Sequence, residues 1–311
     1  MVAVFCRCRN GTCMEEQQYP KVSLVTLNYN GLRFLKELFD SLRECTYPNM
    51  EVIMVDNCSA DESVAFVREN YPEVKLLENP DNYMYARGNN EGLKIADGDY
   101  ICLLNNDVDV DPGFIEPVIA AFEADKKLGA VQPKILGQQK RDHLEYAGAC
   151  GGFIDWLGYP FLRGRVFFTI EKDDGQYDNP QDIFWASGAC FFIRREILED
   201  VGTIDEDFML HQEEIDLCWR AKNSGHRVFY TGKSHVFHLG GSTLSNMNPK
   251  KTFLNFRNSL YSITKNLPQQ TAIKIILYRL VLDGIAATRF AFQFKFNHFM
   301  AILRAHLSFY R

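Results

Sequence analysis

The feature that most constrains the fold of this chain is the regular alternation of short apolar runs with amphipathic segments between residues 20 and 110. Apolar runs rich in β-branched residues predict buried strands at residues 21–27, 51–55, 74–77 and 99–104. The segments between them carry apolar side chains at helical spacing, at residues 32–42, 61–67 and 89–95. Strands that alternate with helices predict an α/β fold, with a mostly parallel sheet flanked by helices.

Polar side chains follow three of these strands, at Asn28-Tyr29-Asn30, Asp56-Asn57 and Asn105-Asn106-Asp107. In open α/β sheets the ligand lies beyond the carboxyl ends of the strands. Asn and Asp also favour turns for purely local reasons. Because the pattern recurs at one predicted edge of the sheet, it favours a ligand site there.

The second half of the chain, residues 111–265, is less regular. It predicts helices at residues 114–122, 195–201 and 213–223, a loop with a hairpin at 148–165, and strands at 130–135, 185–193, 227–230 and 235–238.

The cysteines indicate a reducing compartment. There are nine, and only Cys6, Cys8 and Cys13 lie close together, whereas the others are scattered through apolar segments. The N-terminus also has no apolar run of the kind found in signal peptides. These features favour a cytoplasmic protein. The cysteine group fits half of a metal site or part of a disordered leader over residues 1–19, and the leader is favoured because no second cluster follows at zinc spacing.

Asp107 and Asp109 follow the fourth predicted strand, and a continuing strand would point both side chains the same way. Mg²⁺ or Mn²⁺ is often held by one or two protein carboxylates together with phosphate oxygens. A solvated acidic turn before Pro112 explains the same residues.

Three acids, Glu213, Glu214 and Asp216, lie at the start of the helix predicted at residues 213–223. The helix dipole favours acids at this end, so an electrostatic cap is one explanation. Apolar neighbours and an adjacent like charge both raise a carboxyl pKa, which suits a general base.

His235 and His238 lie near the end of the last predicted strand, and Gly240 and Gly241 follow. A neutral imidazole beside an acidic site can complete a metal shell or bind a phosphate, and glycine lets the backbone approach a ligand closely. A histidine in such a position is more commonly an ordinary core or surface residue.

In the order of its parts, the chain resembles inverting family 2 glycosyltransferases of the GT-A fold, most of all their rhamnosyltransferase-like bacterial branch. The resemblance covers residues 20–265. The stretches that carry it are VSLVTLNYNG (22–31), VDNCSAD (55–61), NYMYARGNNEG (82–92), LNND (104–107), GACFFIR (188–194), IDEDFM (204–209), EEIDLCWR (213–220) and HLGGS (238–242).

The resemblance implies a Rossmann-like GT-A domain, with a nucleotide-binding half at residues 20–110 and an acceptor and catalytic half at 111–265. It places the donor nucleotide against Leu27, Tyr29, Asp56, Asn89 and the Asn105-Asn106-Asp107 stretch. That stretch replaces the family's metal-binding Asp-x-Asp with a neutral Asn105, so the resemblance assigns Mg²⁺ or Mn²⁺ to Asp107, Asn105 and His238.

Glu214 stands where the family has its catalytic base, with Glu213 and Asp216 beside it. The implied reaction is an in-line displacement that transfers a sugar from a UDP- or dTDP-sugar to a hydroxyl of a glycan or lipid-linked acceptor in cell-surface polysaccharide synthesis. Arg257 is expected to reach the diphosphate or to form a surface ion pair, and Trp185 and Gly188 to line the acceptor side.

Two other classes of protein would also bind a nucleotide sugar. A sugar-nucleotide pyrophosphorylase would need a Gly-rich basic phosphate loop after the first strand, and residues 27–31 lack one. A non-catalytic nucleotide-sugar or glycan-binding module would keep the pocket without needing the base.

The C-terminal segment, residues 266–311, differs in charge from the rest. It carries a net charge of +5, whereas the whole chain carries −6, which disfavours a nucleic-acid partner for the main body. The spacing predicts basic amphipathic helices that lie on an anionic membrane surface, pack on the catalytic domain or meet a second protomer. With a cytoplasmic domain, the first alternative predicts a peripheral protein on the inner face of the cell membrane.

Overall fold

The computed structural model describes residues 19–166, 169–240 and 248–311, and the backbone of residues 6–9 and 12–15. Its strands are β1 (Cys6–Arg9), β2 (Thr12–Glu15), β3 (Val22–Asn28), β4 (Met50–Asp56), β5 (Lys75–Glu78), β6 (Tyr100–Asn105), β7 (Val108–Val110), β8 (Leu128–Gly137), β9 (Gly152–Ile154), β10 (Pro160–Leu162), β11 (Arg165–Val166), β12 (Thr169–Ile170), β13 (Gln181–Ile183), β14 (Cys190–Arg194) and β15 (Arg227–His238).

The helices are α1 (Leu32–Arg43), α2 (Ser63–Asn70), α3 (Met84–Ile95), α4 (Glu116–Ala124), α5 (Arg195–Val201), α6 (Glu213–Asn223), α7 (Pro249–Asn266), α8 (Gln269–Phe292) and α9 (Phe296–Phe309). A single 3-10 turn covers Glu206–Phe208.

One nine-stranded sheet organises the described chain, in the order β13-β15-β8-β14-β6-β3-β4-β5, with β7 paired to β15. Strands β6, β3, β4 and β5 are mutually parallel, as the alternating pattern predicts. In the second half β14 runs antiparallel to both of its neighbours, whereas β8 and β15 are parallel. The predicted α/β fold with a mostly parallel sheet is confirmed, and the strands of this sheet that run antiparallel to their neighbours are β7, β13 and β14.

Apolar side chains from the helices and strands form two main clusters of buried residues. Helix α1 shows how the sequence dictates this packing, because Leu35, Leu38, Phe39 and Leu42 recur at intervals of three and four and are all buried. The six cysteines whose side chains are described are free thiols, four of them buried as small apolar groups.

Two strand predictions need correction. The strand predicted at residues 185–193 begins only at Cys190, because Ser187 and Gly188 instead line the cavity described below. The two strands predicted at 227–230 and 235–238 form one strand, β15, whose register shifts between Thr231 and His235.

The predicted C-terminal helical extension is present as α8 and α9, which pack on α7 and on each other. At the N-terminus, β1 and β2 form an antiparallel pair that the sequence does not predict. The disordered leader over residues 1–19 falls largely outside the described residues and stays a prediction. The side chains of Cys6, Cys8 and Cys13 lie outside the described part.

Candidate functional site

A cavity of about 380 Å³ opens at the carboxyl ends of β3 and β6, beside the first turn of α6. We name two of its sides. The strand wall consists of Leu27, Tyr29, Asn105, Asn106 and Asp107, and the helix wall of Leu210, His211, Glu213 and Glu214. The other lining residues are Asn30, Arg33, Phe34, Asn57, Asn82, Met84, Tyr85, Ala147, Ser187, Gly188, Ala189 and His238.

The strand wall is held by hydrogen bonds between the strand ends. The buried Asn28 amide donates to Asp56 Oδ1 at 3.0 Å and accepts from Asn106 Nδ2 at 2.8 Å. Gly31 packs so closely here that a Cβ atom would clash with both Asn28 and Asn106. The Tyr29 side chain remains 51% exposed, so its ring is available for stacking at the mouth of the cavity.

Asp107 and His238 meet because the end of β15 pairs with β7, immediately after Asp107. His238 Nε2 lies 3.1 Å from Asp107 Oδ1 and 3.4 Å from Asn105 Nδ2. Burial lowers the pKa of His238, but the neighbouring carboxylates of Asp107 and Glu145 outweigh it and raise that pKa to about 10. This pairing unites residues 131 positions apart in the sequence.

The donor set fits a divalent cation that takes few protein ligands. Asp107 supplies carboxylate oxygen, Asn105 an amide oxygen and His238 an imidazole nitrogen, which leaves room for diphosphate oxygens. Within the described ranges, no cluster of three or more His, Cys, Asp or Glu side chains is arranged to hold a metal ion. A cation here would therefore depend on the nucleotide for part of its shell.

The helix wall begins on a strained backbone. Met209, His211 and Gln212 have φ values of +64°, +70° and +73°, a region that side chains other than glycine rarely occupy. The buried Asn258 amide holds this segment, because its Nδ2 lies 2.8 Å from Phe208 O, 3.0 Å from Leu210 O and 2.7 Å from His211 O.

Each of the two acids of the helix wall has one buried carboxyl oxygen that lacks a hydrogen-bond partner among the described residues. Burial raises the pKa of Glu214 to about 7. Burial and the neighbouring Glu214 raise the pKa of Glu213 well above its ordinary value. Glu214 therefore changes charge near neutral pH, whereas Glu213 holds its proton more strongly.

Five predicted site residues do not line the cavity: Asp56, Asn89, Trp185, Asp216 and Arg257. Asp56 accepts hydrogen bonds from Asn28 and from the backbone and hydroxyl of Ser59. Asn89 donates to Tyr85 O within α3. These two residues support the strand wall and α3 from beneath.

The other three residues support the helix side of the cavity and the hairpin. Asp216 is fully buried and binds Arg220, Lys265 and Asn266. Arg257 is buried outside the cavity lining, and it donates to the carbonyls of Asp207 and Phe208. Trp185 packs against Gly152 and donates to Phe153 O.

Asp109 and His235 also lie away from the cavity. Asp109 pairs with Arg141 and lines a separate surface depression beside α1. Its side chain does not follow that of Asp107, because Asp107 lies in a turn before β7 and not in a continuing strand. His235 lies 3.4 Å from Asp111, and Gly241 lies outside the described residues.

Several lining residues were not identified from the sequence. His211 is partly exposed, but its Nε2 is buried without a hydrogen-bond partner among the described residues, and desolvation lowers its pKa to about 4. Its position two residues before Glu213 was the available signal. Tyr85 and Ser187 had no comparable signal, because each reaches the cavity through long-range packing.

The sheet, its flanking helices and the cavity at the strand ends together define the GT-A fold of glycosyltransferases. Solved glycosyltransferase structures resemble this chain in fold. GalNAc-T7 with UDP, GalNAc and Mn²⁺ superposes with a TM-score of 0.63 at 18% identity, over 80% of this chain and 48% of that one. The mannosyltransferase PcManGT from Pyrobaculum calidifontis, in complex with GDP-Man and Mn²⁺, gives 0.58 at 14% identity, over 94% and 88%.

Residues 23–202 match the family model described as glycosyl transferase family 2, and the chain belongs to that family. O-antigen biosynthesis protein RfbC of Myxococcus xanthus is 29% identical over 70% of this chain, which spans 17% of RfbC. N-acetylglucosaminyl-diphospho-decaprenol L-rhamnosyltransferase of Mycobacterium tuberculosis is 26% identical, over 69% of this chain and 75% of that protein. The resemblance drawn from the sequence motifs is confirmed.

Proposed function

We propose that this protein transfers a sugar from a nucleoside-diphosphate sugar, UDP- or dTDP-linked, to a hydroxyl of a glycan or lipid-linked acceptor, with inversion at the anomeric carbon. The observation that carries the proposal is that Glu214, whose pKa is raised to about 7, lines the same cavity as Asp107 and His238. Such a displacement needs a base that accepts the proton of the acceptor hydroxyl and a site that binds the departing diphosphate.

Glu214 is assigned the role of general base. Above about pH 7 its carboxylate accepts the proton of the acceptor hydroxyl while that oxygen attacks the anomeric carbon and the bond to the diphosphate breaks. Glu213 holds its proton more strongly, so it is the weaker candidate for this role. Tyr29 stacks on the nucleobase, and Leu27 supplies an apolar contact beside it.

Asp107, His238 and Asn105 would hold Mg²⁺ or Mn²⁺. When bound, the cation supplies Lewis-acid stabilisation of the charge that develops on the leaving diphosphate. The GalNAc-T7 structure with UDP and Mn²⁺ and the PcManGT structure with GDP-Man and Mn²⁺ support this assignment.

The names of the relatives support a role in cell-surface polysaccharide synthesis. One is an O-antigen biosynthesis protein, and the other acts on a decaprenol-linked sugar by its name. Gly188 and Ser187 line the cavity and are proposed to face the acceptor. A non-catalytic binding module would have no use for two acids that each leave one buried carboxyl oxygen without a hydrogen-bond partner among the described residues, so we favour the enzyme.

The test is a panel of UDP-, dTDP- and GDP-sugars, each with and without Mn²⁺. Thermal stabilisation identifies the donor, release of the nucleoside diphosphate measures turnover, and NMR of the product gives its anomeric configuration. The proposal expects stabilisation by one donor class and a product of inverted configuration. Donor binding without turnover on any glycan or lipid-linked acceptor supports the binding module, and a retained configuration contradicts the assigned mechanism.

The C-terminal segment supports a second part of the proposal, contact with an anionic membrane surface. Helices α8 and α9 bury one side against α7 and expose large apolar side chains on the other: Ile273, Leu277, Tyr278, Leu280, Val281, Ile285, Phe292, Phe294, Phe296, Met300, Leu303 and Leu307. We call this set the tail face. Within the parts of the chain that the structure describes, no helix has the length and apolar character required to cross a bilayer.

Charge favours a lipid surface over a second copy. Lys274, Arg289, Arg304 and Arg311 are exposed on the same segment. Asp283, the single acid of the segment, is buried against Arg279 and His306 and does not neutralise them. Two copies would bring like charges together, whereas anionic headgroups would complement the cations and accept the apolar side chains. The location on the inner face of the cell membrane stays a prediction.

Substituting Val281 and Ile285 with Glu tests this contact, because both side chains are more than 60% exposed on the tail face. We expect the double variant to keep its fold and to lose most co-sedimentation with vesicles containing phosphatidylglycerol. A control with Gln269→Glu and Gln270→Glu changes the charge equally at exposed polar positions of the same helix. Equal lipid binding by both variants contradicts the proposal, and a wild-type dimer that both Glu substitutions dissociate indicates a second copy instead.

A further inference from the structure

Glu145 is a buried acid that neither the sequence motifs nor the cavity lining include. It lies in the connection between β8 and β9, and its residue exposure is 4%. Its Oε1 lies 3.6 Å from Nδ1 of His238, whereas Asp107 and Asn105 approach Nε2 of the same ring. The imidazole therefore stands between the proposed cation ligands on one side and Glu145 on the other.

The Glu145 carboxylate is held in place by its surroundings. Its Oε2 accepts a hydrogen bond from Ala147 N at 2.6 Å, and its own backbone N–H donates to Ile135 O at 3.0 Å. Gly240 lies against it with φ +69°, and a Cβ atom on that glycine would come within 2.6 Å of Oε1. A glycine at this position therefore leaves the space that the carboxylate occupies.

The histidine needs such a partner. Nδ1 of His238 is buried and has no hydrogen-bond partner within 3.5 Å among the described residues, and a buried polar atom left in this state is costly. Glu145 is the acid nearest to that nitrogen. Without a cation, Nε2 donates its proton to Asp107 Oδ1 at 3.1 Å, because a carboxylate oxygen can only accept. If a cation takes the place of that proton, a proton kept on Nδ1 and directed at Glu145 would leave the lone pair of Nε2 for the cation.

We propose that Glu145 is a positioning residue, which fixes the tautomer and the orientation of His238 so that Nε2 faces the cation site of Asp107. The inference rests on the cation site proposed above. Carboxylate partners of metal-binding histidines act in this way, and their loss costs about 10- to 100-fold in metal affinity. The rival explanation is that Glu145 serves only the nearby Lys251, whose charge interacts with it.

The test measures Mn²⁺ affinity by electron paramagnetic resonance, on the full chain in the presence of UDP. Glu145→Ala is expected to weaken Mn²⁺ binding about 10- to 100-fold. Glu145→Gln is expected to recover much of that loss, because its amide oxygen still accepts from Nδ1–H. In a His238→Ala background Glu145→Ala should add less than about a twofold change, since the two residues act as one unit.

The inference is wrong if Glu145→Ala binds Mn²⁺ as tightly as the wild type. It is also wrong if Glu145→Ala lowers the Mn²⁺ affinity by its full roughly 10- to 100-fold in the His238→Ala background, because Glu145 would then act through Lys251 or through the fold. If the wild type itself binds no Mn²⁺, both the cation site and this inference fail, and that result differs from failure of the inference alone. If Glu145→Ala does not fold, the ¹⁵N spectrum of histidine-labelled wild type in Mg²⁺ and UDP shows which ring nitrogen of His238 carries the proton. A proton on Nδ1 supports the proposal, and a proton on Nε2 contradicts it.

Discussion

The two walls of the cavity are built in different ways. The strand wall follows regular parallel strands, and its side chains are tied to one another through Asn28. The helix wall follows a segment with three positive φ angles and carries two acids, each with one carboxyl oxygen unpartnered among the described residues. Regular strands place groups that hold a ligand, whereas a strained and desolvated segment places groups whose pKa must be shifted.

The residues that hold the two walls in place also lie at different distances from them along the chain. Asn28 and Asp56 end two adjacent strands of one sheet, and Asn106 directly follows β6, the neighbouring strand. The helix wall depends on Asn258 in α7, and on the Tyr85 and Ala86 backbone N–H groups, which both donate to Met209 O at 3.1 Å. The helix wall, which carries the proposed base, is therefore the wall more sensitive to changes far from the cavity.

The largest effect is expected at Glu214. Glu214→Gln removes the proposed base and should lower turnover by about 100- to 10,000-fold while donor binding is retained. Glu213→Gln is the matched control, because it changes the neighbouring acid in the same way. Steady-state kinetics and a donor titration measure both variants. A larger loss of turnover in Glu213→Gln would move the base to that residue.

The next effect belongs to the strand wall. Asp107→Ala should weaken nucleoside-diphosphate binding in Mn²⁺ by at least about 10- to 100-fold. Loss of a residue that only orients a metal ligand already costs this much metal affinity, and Asp107 is itself a proposed ligand. In EDTA the same variant should bind almost like the wild type. Asp109→Ala is the control, since Asp109 lies outside the cavity with Arg141. Equal loss with and without Mn²⁺ would make Asp107 a structural residue.

A smaller effect is expected from the support of the helix wall. Asn258→Ala leaves the carbonyls of Phe208, Leu210 and His211 without this donor and should lower the free energy of unfolding by about 1–3 kcal/mol. It should also lower turnover roughly tenfold, because Glu214 loses its fixed position. Asn266→Ala, at a buried position of the same helix that binds Asp216, should destabilise the protein with little effect on turnover. Similar turnover in both variants would separate Asn258 from the site.

The pH dependence of stability gives the smallest expected effect. The pKa of Glu214 is raised from 4.5 to about 7 in the folded state, so its protonated form stabilises the protein below about pH 4.5. That contribution is lost as the pH rises through about 7. Relative to the wild type, Glu214→Gln should therefore gain stability between pH 5 and pH 8 in urea unfolding. A difference that does not change with pH would show that Glu214 is not desolvated. The turnover of the wild type should rise over the same pH range.

The sequence predicted the parallel half of the fold closely. The strand predicted at residues 21–27 is Val22–Asn28, and the helix predicted at 32–42 is Leu32–Arg43. These elements depend on periodic burial and local hydrogen bonds, both of which a one-dimensional pattern records. The strand predicted at 185–193 was placed too early, because an apolar stretch at a cavity edge has the composition of a strand without its pairing.

Membership of a motif predicted less well which individual side chains line the cavity. Of the three acids at the start of α6, Glu213 and Glu214 line the cavity, whereas Asp216 binds Arg220, Lys265 and Asn266. The helix period separates these side chains, but two of the contacts of Asp216, those with Lys265 and Asn266, come from α7, about 50 residues away.

The alternating elements, the polar ends of the parallel strands and the acid pair at the start of α6 could be predicted from the chain alone, because each depends on residues that are neighbours in sequence. The structure was needed to show that His238 meets Asp107, that Asn258 holds the segment before Glu213, and that Arg257 is buried away from the cavity. Those outcomes depend on hydrogen bonds between residues about 50 to 130 positions apart, and local periodicity carries no information about such pairings.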